Sequence, residues 1–562
     1  MKLKKRVLII PAVLIAAGGG IFGFMKFREY QAEQERLKQR ETLYVSSEEK
    51  TVEIQRRDQE GTLELVRGTP VDVRVVPLQV KEEDTEKEYR LVFIDDTEYL
   101  MTDDQLSADL QGAVKETKGY VTLPTVLYEN GTGPDIAGMA DKGAEVQITG
   151  FANLLEDGSV DRYLTDTGSG QGYIRSEYIV SDPSLVVNTV DDFQYEREDY
   201  YGGGDAYTLE YPVLEKGNFP DNPMPRECRT LYLNKASAWY IDDYIEIAQN
   251  SGVNAFIIDI KESDGPAYDS PVIREYSPSA SEYALNTLED YKAAVQKCKD
   301  AGIYVIGRIV TFKDDFYAAD HPENVLANKD SGEPYVLAGA YWPSPYQRDV
   351  WEYNIKLALE AVDEIGFNEI NFDYIRFPDR MFSDVDYIDF RNTYNESMAQ
   401  AINRFLFYAR DELHDKGVYM SCDVFGETSN DYVTAYGQYW PMMSNIADVM
   451  CAMPYPDHFQ IHDYGIEQAV WEVPYQLLYY WGLYVNDRQA ETPVPAKVRT
   501  WIQGFDTFYK EPMVEYTVDK INEQIEGLYA NGLNDGYMVW NAPSEVWRYW
   551  SYAPAFYERV PE

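Results

Sequence analysis

Residues Glu369–Phe377 read EINFDYIRF, a short apolar run that ends in two charged side chains, Asp373 and Arg376. Runs of the same kind recur on both sides of it: RTLYLN from Arg229, NAFIIDIK from Asn254, IYVIGRIV from Ile303, VYMSCDVFG from Val418, ADVMCAMPY from Ala447, VRTWIQGF from Val498 and GYMVWNA from Gly536. Near-continuous Val, Ile, Met and Phe predicts strands buried on both faces, as in a parallel sheet. Amphipathic segments of helical length separate them, and alternation of this kind marks repeated β/α units. Thr287 with Asp290 gives one helix an N-terminal cap, and Gly252, Gly302, Gly366, Gly417 and Gly532 follow helical segments as expected C-terminal caps. Eight units close a ring, so the fold class expected for residues 229–552 is α/β, a (β/α)₈ TIM-type barrel. An open doubly wound sheet with a nucleotide role would need a Gly-rich phosphate loop after its first strand, and the sequence has none.

Catalytic groups of such barrels sit where the strands end. The polar residues there are Asp259, Lys261 and Glu262 on the second run, Arg308 on the third, Asp373 and Arg376 on the fourth, and Asp423 and Glu427 on the fifth. Tyr455 ends the sixth, Gln503 and Asp506 the seventh, and Trp540 and Asn541 the eighth. Asp259 and Lys261 are two apart and are expected to share a strand face, as are Asn371 and Asp373. An acid at the top of an apolar strand must be paired, metal-bound or poised for chemistry, because burying a lone charge is costly. Two carboxyls from neighbouring strands, Asp373 and Asp423, beside aromatic faces such as Trp342, Tyr455 and Trp540, are what glycoside hydrolysis requires.

The motifs NFDYIRFPD (Asn371–Asp379), SCDVFG (Ser421–Gly426), MPYPDH (Met453–His458), WIQGF (Trp501–Phe505) and MVWNA (Met538–Ala542) together resemble the glycoside hydrolase-like domain of bacterial surface proteins. The resemblance implies a (β/α)₈ barrel related to the α-amylase-like enzymes. It places Asp373 as nucleophile or stabilising carboxylate and Asp423 as general acid. Many relatives carry Glu at the second place, so Glu427 stands as the alternative acid. Asp259, Lys261, Arg308, Arg376, Tyr455, Gln503, Trp540 and Asn541 are the expected substrate-binding or pKa-tuning groups. The substrate implied is a polysaccharide, with no cofactor and no metal.

With 562 residues, 45% hydrophobic and 14% aromatic, the chain has room for two or three folded units. Its formal charge of -46 repels phosphate backbones, which argues against nucleic acid as a partner. Four cysteines without a CxxC pair are expected as buried free thiols.

At the N-terminus, residues 1–6 are basic and 7–25 are uncharged, roughly 28 Å of helix. The expectation is a transmembrane anchor with a cytoplasmic tip and everything else outside the cell, the rival being a cleaved signal peptide. Residues 26–61, Gln/Glu-rich and weakly periodic, are expected as a stalk. Alternating short runs predict small all-β barrels at 62–112 and 118–181. Their closing segments, DDTEYLMTDDQL and GQGYIRSEYIV, resemble bacterial SH3-like domains, which implies binding to cell-wall glycan or peptide. Residues 182–228 read as a linker.

Other chemistries fit less well. No GxSxG elbow supports a serine hydrolase. His458 and His462, four apart beside Asp457 and Asp463, are the one hint of a metal-dependent deacetylase. The alternative to a glycosidase is a surface protein that binds glycan or cell wall without turnover.

Overall fold

The computed structural model describes residues 28, 31, 34–36, 38–58, 60–82, 85–95, 97–168, 170–188, 201–379, 381 and 383–559. Two compact units share the chain: Val187–Glu562 with the short pieces Leu123–Val126 and Pro134–Gly138, and a smaller unit from the remainder up to Val186.

The smaller unit is all β. One antiparallel sheet runs in the order Thr62–Val66, Thr51–Arg56, Thr97–Met101, Thr85–Ile94, Pro70–Arg74, Arg40–Val45 and Leu106–Ser107. Two of its strands, Arg40–Val45 and Thr51–Arg56, lie inside the segment expected as a stalk. Leu43 and Val45, like Val52 and Ile54, alternate with polar residues, so each strand turns one apolar face onto a core with Val71, Val73, Val92 and Met101. In a second sheet Arg162–Asp166 lies between Glu145–Phe151 and Gln171–Arg175, and Lys118–Val121 pairs with Ile179–Val180.

The membrane-anchor expectation is corrected. Among the described residues no helix is long and apolar enough to cross a membrane. Residues 7–25, on which the expectation rested, lie outside the described residues.

The larger unit is a nearly closed parallel barrel. Its strands are β1 (Cys228–Leu233), β2 (Ala255–Glu262), β3 (Tyr304–Val310), β4 (Glu369–Asp373), β5 (Tyr419–Phe425), β6 (Val449–Met453), β7 (Lys497–Val498 and Thr500–Gln503) and β8 (Gly536–Trp540). The eight sequence runs coincide with these strands. β7 is split at Arg499: its first piece pairs with β6 and its second with β8, which brings the ring round to β1. An α-helix follows each strand: α1 (Ile241–Gln249), α2 (Leu288–Asp300), α3 (Arg348–Glu360), α4 (Met398–His414), α5 (Trp440–Ile446), α6 (Pro474–Ala490), α7 (Val518–Tyr529) and α8 (Val546–Tyr552).

Local chemistry fixes the helix ends. Thr287 Oγ1 accepts from the Asp290 N–H at the start of α2, as its sequence pattern predicts. Gly366 takes φ 87° after α3, the left-handed cap expected there. Gly252 is glycine for a different reason: a Cβ would meet the Phe556 carbonyl at 2.2 Å. Inside the barrel, Tyr232, Ile257, Ile306, Val449, Cys451, Trp501 and Met538 form a filled core. All four cysteines are buried free thiols.

Candidate active site

The parallel register sets Asp259 of β2 beside Arg308 of β3, Arg308 beside Asn371 of β4, and Asn371 beside Ser421 of β5. Inward-facing positions one step higher are Asp373 and Asp423. Together they bring a cluster of acids round one cation at the C-terminal mouth of the barrel.

Arg308 is the centre of this cluster and is only 2% exposed. Its Nη1 donates to Asp259 Oδ1 (2.7 Å) and Glu262 Oε2 (2.9 Å). Nη2 and Nε both donate to Asp373 Oδ2, at 2.6 and 3.2 Å. Nε also lies 4.0 Å from Asp423 Oδ2. One guanidinium thus faces four carboxyl groups.

Strand β4 ends at Asp373 because Tyr374 turns to φ 54°, a left-handed conformation that costs a non-glycine residue about 1–3 kcal/mol. The turn places the Tyr374 N–H 2.6 Å from Asp373 Oδ1 and its ring in the cavity wall. Asp423 is held differently. Its Oδ1 accepts from Trp501 Nε1 (2.7 Å) and Asn371 Nδ2 (3.0 Å), while its Oδ2 is buried without a hydrogen-bond partner.

These surroundings separate the acids. Burial, then the charge of Asp373, pushes the Asp423 carboxyl well above the ordinary aspartate range, against the opposing pull of Arg308. Burial also pushes Asp259 up to about 6, although Arg308 and the Tyr232 hydroxyl (2.6 Å) favour its charged form. Glu262 goes the other way. Burial alone would raise it, but Arg308 and the Ser263 N–H outweigh that and hold it below its ordinary value.

Glu262, Arg308, Asp373, Tyr374, Arg376 and Asp423 line a cavity of about 230 Å³. Phe425, Tyr455, Trp501 and Trp540 form its aromatic walls, with Met453 and His458 at its side. Arg376 is anchored by Asp379 (3.1 Å) and lies over the rings of Phe425 and Tyr374, at 4.4 and 4.8 Å.

Several expected residues lie elsewhere. Lys261 does not share the face of Asp259. A bulge sets Asp259 opposite Arg308 and Lys261 opposite the very next residue, Ile309. The extra residue reverses the alternation, so Glu262 turns to Arg308 while Lys261 pairs with buried Asp314 at 2.8 Å. Gln503 and Asn541 brace loops: Gln503 Nε2 donates to Phe505 O (3.0 Å) and Asn541 Nδ2 to Gly504 O (2.9 Å). Asp259 sits behind Arg308 rather than in the cavity wall. Trp342 is buried, with its indole N–H on Leu337 O. Glu427 lines an adjoining cleft instead of the cavity.

Sequence reasoning left out Trp501 and Tyr374, and weighed His458 only as a metal ligand. The signal for Trp501 was present, since a buried indole N–H must find an acceptor and WIQGF places it two residues before the strand end at Gln503. Among the described residues no group of three or more His, Cys, Asp or Glu could hold a metal ion, and His458 packs edge-on against Tyr455 instead.

The profile of the family described as "Putative glycosyl hydrolase domain" matches residues 230–546. A search of curated proteins finds no match. Among solved structures, a hypothetical protein from Ruminiclostridium thermocellum ATCC 27405 is 34% identical, over 34% of this chain and 97% of that one, with a TM-score of 0.30. The chitobiase of Flavobacterium johnsoniae is 12% identical with a TM-score of 0.40; the match covers 58% of this chain and 47%, about half, of the chitobiase. An α-galactosidase from Thermus thermophilus is 11% identical, over 91% of this chain and 95% of that one, with a TM-score of 0.36.

Proposed function

The chain belongs to this family of glycosyl hydrolase domains, and from that premise we propose that the barrel mouth cleaves glycosidic bonds of a polysaccharide, with Asp423 as general acid and Asp373 as its ionised partner. One observation carries the reading. Asp423 is a fully buried carboxyl whose proton is favoured by burial and by the charge of Asp373, and one of its oxygens has no partner. A carboxyl that holds its proton beside one that carries charge divides the work into acid and nucleophile.

In the proposed reaction Asp423 Oδ2 gives its proton to the glycosidic oxygen as the bond to C1 breaks. Asp373 attacks C1 or stabilises the positive charge that develops there. Water then takes the place of the departed group at C1, losing a proton to a carboxylate of the pair. Trp501 and Asn371 fix Oδ1 of Asp423, which leaves Oδ2 as the proton carrier. Arg308 is a positioning residue: two of its nitrogens hold Asp373 Oδ2 while the Tyr374 N–H holds Oδ1, which fixes the carboxylate in the cavity wall.

The test is hydrolysis of a glycan panel by wild type and Asp373→Asn in parallel. Wild type is expected to release sugar from at least one member, and the variant to lose about 10⁴-fold in kcat while keeping its melting temperature. Equal turnover by the two proteins contradicts the assignment.

A further inference from the structure

Beside the cavity of Asp373 and Asp423 lies a second cleft of about 620 Å³. Phe425, Met453 and His458 line both, so the two spaces share a wall. The cavity, at about 230 Å³, is below the roughly 300–1,000 Å³ of ordinary ligand sites and suits a single sugar ring. The cleft has room for more.

Its position along the chain gives it a direction. From Asp423 the backbone runs through Phe425, in the shared wall, to Gly426 and Glu427, in the wall of the cleft. A general acid stands on the side of the departing group, because that is where the oxygen it protonates goes. The loop after β5 supplies Gly426, Glu427, Ala435 and Tyr436 to the wall of the cleft and the loop after β4 only Asp379, so the cleft is assigned to the side of Asp423, the departing side of the bond.

Glu427 is built to meet a ligand there. It is exposed, and the hydroxyls of Tyr432 and Tyr436 donate to its two oxygens, at 3.0 and 2.9 Å. Each carboxylate oxygen keeps a further lone pair for a hydroxyl donor. The ring of Tyr201 lies 4.7 Å from that of Tyr432 and gives this wall an apolar face. Burial and the charge of Glu427 raise both tyrosines, so they remain donors rather than phenolates.

We infer that this cleft is the subsite for the sugar unit on the departing side, that Glu427 accepts its hydroxyl hydrogen bonds, and that the substrate is an oligosaccharide or polysaccharide rather than a glycoside of a small alcohol. The inference rests on the proposed hydrolysis for its direction. It removes Glu427 from the candidates for general acid and makes it a specificity residue.

The experiment measures binding and turnover of maltotriose, cellotriose and triacetylchitotriose, with the matching 4-nitrophenyl monoglycosides, in wild type, Glu427→Gln and Tyr436→Phe. For the trisaccharide that wild type accepts, Glu427→Gln is expected to raise KM about tenfold, with a smaller rise for the monoglycoside and the basic limb of the pH profile retained. Tyr436→Phe removes one of the hydroxyls that hold the carboxylate and is expected to give a rise of a few-fold. An unchanged KM, or a collapse of kcat with loss of the basic limb, overturns the inference. Calorimetry keeps the two claims apart. A wild type that binds a trisaccharide without cleaving it contradicts the proposed hydrolysis, and about tenfold weaker binding by Glu427→Gln then still supports the subsite. Equal binding by both proteins, or binding by neither, overturns the subsite.

Discussion

Strand β4 carries two buried acids on one inward face, Glu369 at its start and Asp373 at its end, and the barrel treats them in opposite ways. Glu369 is 0% exposed: its Oε1 accepts from Arg499 at 2.8 Å and its Oε2 from the Tyr304 hydroxyl at 3.1 Å. There Arg499 pairs with one acid. At the other end one guanidinium serves Asp259, Glu262, Asp373 and Asp423. Four ionised acids round one buried cation leave a large uncompensated charge, and desolvation makes that costly. The molecule relieves it by favouring the neutral form of Asp423 and, below about pH 6, of Asp259. Acidic side chains on the same strand face thus form a structural pair at the bottom and a surplus of acid at the mouth.

The largest expected effect separates the two ends by their readouts. Asp373→Asn is expected to abolish turnover with little loss of stability, as set out above. Glu369→Gln is expected to do the reverse: it leaves Arg499 without its partner and lowers stability by about 3–5 kcal/mol in urea denaturation, with kcat within a few-fold of wild type. Loss of turnover in Glu369→Gln with unchanged stability breaks the comparison.

A smaller effect is the pH dependence of stability at the mouth. The Asp259 carboxyl is raised from 3.8 to about 6 on folding, so its contribution is fully present below about pH 4 and is lost as pH rises through about 6. Urea denaturation should show wild type losing roughly 2 kcal/mol relative to Asp259→Asn between pH 4 and pH 7. A constant difference across that window contradicts the charge-surplus account.

The smallest concerns the indole donor to Asp423. The Trp501 N–H favours the ionised carboxylate, so Trp501→Phe raises the Asp423 pKa further. The basic limb of the rate profile is expected to move to higher pH, by about one unit or less. A shift to lower pH contradicts the role given to this hydrogen bond.

All eight barrel strands were legible in the sequence because a strand covered on both faces must be apolar nearly throughout, and this leaves a compact run between amphipathic helices. Asp373, Asp423 and Arg308 were legible because they are charged residues at the ends of such runs. Lys261 was misplaced because a one-residue bulge reverses alternation without altering composition. Gln503 and Asn541 stand at strand ends, yet loop carbonyls occupy their amides, and spacing carries no trace of that. Residues 40–56 read as a stalk because their charged outer face masks the pairs Leu43 and Val45, Val52 and Ile54. The role of Glu427 depends on which wall it lines, a property of the folded mouth alone.

Burial, reinforced by the surplus of acid at the mouth, keeps a proton on Asp423. The most direct measurement is a difference infrared titration of the carboxyl bands of wild type against Asp423→Asn. Wild type is expected to show a protonated carboxyl band, absent from the variant, that gives way to carboxylate at a pH well above the ordinary aspartate value of 3.8. A midpoint at or below 3.8 would contradict it.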